Sequence, residues 1–349
     1  MTRSTLRPMG VGPMLDRSMQ VYRKLFAPLF LGTLLAFGPF FALSNALLVN
    51  LEALPLAPNF DFGDMDRFWE SRFSEGLFAG GSAVWARVLG MFFIGLALAF
   101  LVVPVYCAWV VVLSNRAIDG EDASPRDALK AAWRRYGRVL GNGLLFWLIS
   151  MGAYSIVSIG NAVLSLVYGG AILSTAALGD SEAIATFAGA FTLIVYVLFA
   201  YGGALAYYYF MIRFGYFLPP LLFENETVAI GRSWSLTRKS FWRLLAVYIN
   251  FGALTYVFTI ALGLVVAGLG ISVAGLLVIL GVGSAFLPAG LVVYALTYRV
   301  QKMRNDADDI EAALTRLRGP EPAAPEPAGA ETARPELGLF ESREPGGTA

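Results

Sequence analysis

Five stretches of this chain contain no Asp, Glu, Lys or Arg: Leu25–Leu51, Val88–Asn115, Val139–Gly179, Ala183–Ile212 and Leu244–Tyr298, of 27, 28, 41, 30 and 55 residues. A helix crossing a bilayer needs about 20 predominantly apolar residues, so each stretch holds at least one span. The last holds two, broken near Gly268–Ser272. Only 15% of the residues are charged and the mean hydropathy is +0.64, whereas soluble domains are nearer a quarter charged. The chain reads as a polytopic membrane protein.

By length alone the 41-residue stretch fits one long helix or two short ones, and the basic residues decide between them. With one helix there, the chain has six spans. Of its 26 basic residues, 23 then fall on one side, and only Arg67, Arg72 and Arg87 on the other. Two helices would carry Arg213, Arg232, Arg238, Lys239 and Arg243 to the outer face, against the positive-inside rule. Six spans with both termini cytoplasmic follow. Their expected limits are about 27–50, 88–113, 140–164, 184–210, 244–267 and 273–298. The first apolar run is too long for a signal-peptide core and is expected to stay as an anchor.

Between the spans, one element recurs. Leu15-Asp-Arg-Ser-Met-Gln-Val-Tyr-Arg-Lys-Leu-Phe26 aligns without a gap, 215 positions on, with Ile230-Gly-Arg-Ser-Trp-Ser-Leu-Thr-Arg-Lys-Ser-Phe241. Leu129-Lys-Ala-Ala-Trp-Arg-Arg-Tyr-Gly-Arg-Val-Leu140 is a looser third copy. Leu15, Met19, Tyr22, Phe26 and Leu29 recur at steps of 4 and 3, as do Ile230, Trp234, Thr237, Phe241 and Leu244, which marks one face of a helix. Leu129, Trp133, Tyr136 and Leu140 repeat the pattern. The fold expected is an all-α membrane protein: six transmembrane helices as three hairpins, each preceded by a cytoplasmic-face amphipathic helix. The first such helix lies within residues 1–24, the others at 125–138 and 228–243.

Helices of this kind rest with aromatics at headgroup depth and cations among lipid phosphates. Arg17, Lys24, Lys130, Arg134, Arg138, Arg232 and Lys239 are the candidate headgroup contacts. The same charges also orient spans, and the repeated residues, Ser18 and Ser233 among them, could equally preserve a packing geometry. In the outer loop, 52–83, Met65, Trp69, Phe73 and Leu77 fall at helical spacing and suggest a short surface helix. A charged helix is expected over 299–318. Residues 319–349, rich in Pro, Glu, Ala and Gly, are expected to be disordered.

The segment Ala229–Arg243, following Pro219-Pro220 and Glu224, resembles the glycerophosphoryl diester phosphodiesterase membrane-domain family. Leu6–Ser18 is similar to that family's opening segment. The resemblance covers most of residues 6–305 and implies a multi-pass bacterial membrane domain, in some relatives fused to a soluble phosphodiesterase barrel. It also implies that the fused barrel works through a pair of histidines with acidic metal ligands. This chain has no histidine, and the residues after its last span are too few for a barrel of about 250. The phosphodiesterase activity is therefore not expected here.

Without histidine, His-based triads and His-Glu-x-x-His zinc sites are excluded, and the single cysteine, Cys107, rules out an internal disulfide. No carboxylate falls within an expected span, which disfavours a proton relay across the bilayer. Glu224 and Glu226 lie beside the end of the fourth span, with Arg213 or Arg232 as the ordinary charge partners and a proton- or cation-sensing site as the alternative. The expected function is a non-enzymatic, anionic-lipid-interacting scaffold or regulator of envelope processes in the bacterial inner membrane, without cofactor. Its partners would be phospholipids and either further copies of itself or envelope proteins, not nucleic acid. The alternative is a transporter or permease for a small solute or lipid-derived substrate, favoured by the repeats and by Pro39, Pro104 and Pro288 within spans.

Overall fold

The computed structural model describes residues 10–48, 56, 83–121, 124–177, 182–224, 226–238, 240–269 and 272–318. Among these the regular structure is entirely helical. In chain order the helices are α1 Val11–Lys24, α2 Phe26–Leu48, α3 Ala83–Ala97, α4 Val103–Asp119, α5 Pro125–Arg134, α6 Tyr136–Ala177, α7 Glu182–Gly215, α8 Leu218–Phe223, α9 Ile230–Thr237, α10 Phe241–Leu269 and α11 Val273–Arg318. A π-helical turn, Leu98–Val102, joins α3 to α4. Six segments are long and apolar enough to cross a membrane: α2, the α3–α4 rod, α6, α7 with α8, α10 and α11.

The 41-residue charge-free stretch is a single helix, α6. The expected span at 273–298 and charged helix at 299–318 are one unbroken element, α11. Residues 306–349 form a unit apart from residues 1–305. The surface helix expected around Met65–Leu77 and the tail at 319–349 lie outside the described residues.

Neighbouring spans touch at particular points. Leu47 of α2 lies against Gly90 of α3, and Gly203 of α7 against Val157 of α6. Tyr154 meets Tyr207 edge to face, and Phe258 of α10 stacks on Phe286 of α11. Away from these seams large apolar groups stand exposed, as at Trp147, Ile156, Leu166, Leu198 and Leu264. A helix outside its seams with this composition needs an apolar solvent.

Where the basic residues gather, the molecule changes character. In α4 every residue from Ala108 to Asn115 is buried. Met14, Val21 and Leu25 pack into the same core, with Ala128 and Ala132 of α5, Leu218 and Leu222 of α8, and Val292 to Leu296 of α11. The last turns of α4 and the middle of α11 are thus wrapped by short helices. The final residues of the expected second span, 88–113, therefore sit in a protein core, within the longer apolar segment Val84–Asp119.

Proline explains the interruption of the α3–α4 rod. Pro104 has no N–H to offer the Phe100 carbonyl four residues back. The turn widens so that Val103 N–H reaches Leu98 O, and the Tyr136 hydroxyl donates to Phe100 O at 2.6 Å. Tyr22, the corresponding residue of the first repeat, donates to Ala285 O in α11, three residues before Pro288.

The repeats also share a join. Each short helix meets its span through a brief break, and the dihedrals at Leu25 (φ −98°, ψ 8°) and Arg135 (φ −107°, ψ 9°) are nearly identical. The buried line on α1 is Met14, Ser18, Val21 and Leu25; its counterpart includes Ala128, Ala132 and Val139 in the second copy, and Ala229, Ser233, Leu236 and Ser240 in the third. That line runs one residue to the side of the expected apolar stripe in the first two copies. There Phe26, Leu129 and Trp133 are exposed, Trp133 by 58%.

Candidate functional site

The basic end is organised around a break in the fourth span. Gly215 ends α7, and Pro219-Pro220 can only begin a new helix, α8, so Tyr216 and Phe217 form a two-residue elbow. An elbow frees backbone donors and acceptors that must be met inside the protein. Two hydroxyls meet them. Ser233 of α9 donates to Arg213 O at 2.7 Å and accepts from Tyr216 N–H at 2.9 Å. Tyr294 of α11 donates to Gly215 O at 2.8 Å and accepts from Leu218 N–H at 3.3 Å. Tyr216 itself turns inward, its hydroxyl bonded to those of Tyr248 (2.7 Å) and Thr297 (2.9 Å).

Glu224 closes α8 and gathers cations. Its carboxylate accepts Arg232 Nε at 3.1 Å, Lys302 Nζ at 2.7 Å and the Tyr298 hydroxyl at 2.8 Å. Burial pushes this carboxyl up. The Lys302 and Tyr298 hydrogen bonds and the charges of Lys302 and Arg232 outweigh burial and hold it below its ordinary value. Of the two partners expected for Glu224, Arg232 takes the role. Asn142 ties down the link before α9: it accepts Ala229 N–H at 3.1 Å and donates to Thr227 O at 3.0 Å. Arg299 reaches Asn115 and Asp119 at the end of α4.

Arg213 has a different environment. Its side chain is only 7% exposed and forms no pair with Glu224. The guanidinium carbon lies 4.9 Å from the ring centroids of both Tyr209 and Trp234, and Nη2 donates to Arg238 O at 3.3 Å. Among the described residues Nε and Nη1 have no hydrogen-bond partner. Both ends of a cavity of about 560 Å³ are defined by this corner: Arg213 and Arg238 at one end, and Gly202, Ala206 and Trp242 along its apolar length. A Cβ added at Gly202 meets nothing within 4 Å. Gly202 and Ala206 thus border open space.

The candidate headgroup residues are dispersed over the basic end. Lys24, Lys130, Arg134 and Arg138 are exposed. Arg17 is half-buried and donates to Gln20 Oε1 at 3.1 Å. Arg232 is held by Glu224, so its charge is met within the protein; Lys239 lies outside the described residues. Arg134 also borders a mixed-charge cleft of about 360 Å³ with Arg116, Asp119 and Glu121. Sequence reasoning missed Tyr294, whose only signal was its place in an apolar run, and the separate environment of Arg213. No family model, no curated protein and no solved structure matches this chain.

Proposed function

We propose that this chain is a non-enzymatic multi-pass domain of the bacterial cytoplasmic membrane that holds anionic phospholipids at its inner face and serves as a scaffold or regulator of envelope and lipid processes. In this reading its six spans form three hairpins, each led in by an amphipathic helix on the cytoplasmic side. The observation that carries the reading is the way α5 is turned. Its small residues, Ala128 and Ala132, face the protein and are fully buried, while Leu129 is 49% exposed, and Lys130 and Arg134 are exposed beside it. Large apolar groups left outside next to cations suit a surface that is oily below and anionic above. The family resemblance read from Ala229–Arg243 supports a membrane domain.

Replacing Lys24, Lys130, Arg134 and Arg138 together by Glu removes four exposed cations without touching a buried contact. Each is worth about 1 kcal/mol near an anionic leaflet. We expect nanodiscs or mixed micelles to show preference for phosphatidylglycerol over phosphatidylcholine in the wild type and near-indifference in the variant. Unchanged preference in a folded variant sinks the reading. The second reading, a permease for a small solute or lipid-derived substrate, draws on the π turn at Leu98–Val102 within the second span, since such turns gather at functional sites. Flux of a labelled glycerophosphodiester into proteoliposomes is its test.

A further inference from the structure

We propose that the Arg213 corner is a discrete binding site for one anionic phospholipid, whose headgroup phosphate sits on Arg213 and whose acyl chain lies along α7 towards Gly202. This deepens the headgroup-binding reading and rests on it, but it names a single site distinct from the exposed cations.

The argument starts from an unmet demand. A guanidinium is a five-donor fork that stays charged, and burying one without an acceptor is costly. Arg213 is 93% buried, counting from its 7% exposure, yet Nε and Nη1 face no acceptor. Tyr209 and Trp234, edge to face with each other, approach the cation from two adjacent sides without using those donors. An arginine buried with Nε and Nη1 unmet keeps N–H donors in reserve for charge-assisted contact with a phosphate or carboxylate. Arg238 on the same cavity adds a second positive charge.

The shape of the cavity selects a lipid over a free anion. Apart from the two arginines its lining is apolar or aromatic. From Arg213 the cavity runs back along α7 to Gly202, eleven residues or about 16 Å of helix. A free phosphate would fill only the charged end and leave that trough empty. Adjacent glycines do different work here: Gly203 lets Val157 of α6 approach to 3.0 Å of a would-be Cβ, whereas Gly202 keeps the trough open. The exposed Trp242 at the start of α10 flanks the cavity, at the depth where an interfacial tryptophan meets lipid.

Two substitutions separate the charge from the trough. Arg213→Gln removes the cation; Gly202→Leu fills the trough and touches no existing contact, so the fold is kept even if Arg213→Gln proves unstable. Native mass spectrometry of detergent-purified protein titrated with phosphatidylglycerol is expected to show one lipid surviving collisional activation in the wild type. Its occupancy falls at least fivefold in Gly202→Leu, with no loss of melting temperature. The four-charge variant of Lys24, Lys130, Arg134 and Arg138 sheds its other lipids and keeps that one. Retention of the bound lipid by folded Gly202→Leu overturns this site while leaving the headgroup reading intact. Loss of no lipid at all from the four-charge variant fails the wider reading instead. Inorganic phosphate that binds in an Arg213-dependent manner, and equally well to Gly202→Leu, also overturns the proposal, because the corner is then a site for a small anion.

Discussion

Two copies of one sequence element are used differently in this molecule. Ser18 of α1 and Ser233 of α9 correspond across 215 positions and are both essentially inaccessible. The Ser18 hydroxyl turns back on its own helix, donating to Met14 O at 2.9 Å. The Ser233 hydroxyl crosses to another element and closes the Arg213–Tyr216 elbow. Arg17 and Arg232 also correspond. The first bonds Gln20 on its own helix, and the second bonds Glu224 at the end of α8. Tyr22 reaches α11, but its counterpart Thr237 bonds only within α9. Repetition thus preserves burial, while a residue's partner depends on which neighbouring backbone is broken. The fourth span is broken beside α9, and that is where the repeat becomes a joint.

The comparison is broken most directly at Ser233. Ser233→Ala strands a buried acceptor, Arg213 O, and a buried donor, Tyr216 N–H, each costing roughly 1–3 kcal/mol. We expect a loss of about 2–4 kcal/mol, read as a fall of several degrees in the melting temperature of the detergent-solubilised protein. A melting temperature within one degree of wild type refutes the joint.

Glu224→Gln comes next, because it releases Arg232 to the condition of Arg17. A hydrogen bond to a charged partner is worth about 1.5–3 kcal/mol, and the neutral amide still accepts one bond, so a loss of about 2 kcal/mol at neutral pH is expected. The pH dependence has a definite sign. The folded carboxyl lies below its ordinary value of 4.5, so its contribution is complete above that value and disappears as pH falls through the lower, folded value. The gap in melting temperature between wild type and Glu224→Gln should therefore be level from neutral pH down to about 5 and narrow below 4.5. A gap that widens on acidification contradicts the assignment.

How much of this was legible in the sequence depends on what surrounds each residue. The six spans were, because charge is expelled from lipid and the gaps between charges are long. The single helix α6 was, because loop charges outvote length. The end of α4 was not: Ala108 to Asn115 are as suited to lipid as to protein, since a lipid interior is as apolar as a protein core. Partner choice was not legible either. Arg213 and Arg232 flank Glu224 in the sequence, and only the elbow at Tyr216–Phe217 turns one towards the carboxylate and the other into an aromatic corner. The exposed candidates Lys24, Lys130, Arg134 and Arg138 were readable because flanking charge beside a span has little choice but the surface.

The smallest effect is the most telling control. Ser18→Ala removes a hydroxyl that bonds only to the carbonyl four residues behind it, and that carbonyl is already part of a helix. Such back-bonding slightly destabilises helices, and alanine has the better helix propensity, so Ser18→Ala should lie within about 0.5 kcal/mol of wild type. Ser18 and Ser233 have the same chemistry, burial and place in the repeat, so a difference between the two alanine variants isolates the contribution of the elbow. If Ser18→Ala costs as much as Ser233→Ala, the serine is kept for a packing geometry common to both copies, and the asymmetry drawn between α1 and α9 falls. If only Ser233→Ala is costly, the third copy is the one the fold depends on, and it is the copy that encloses Arg213.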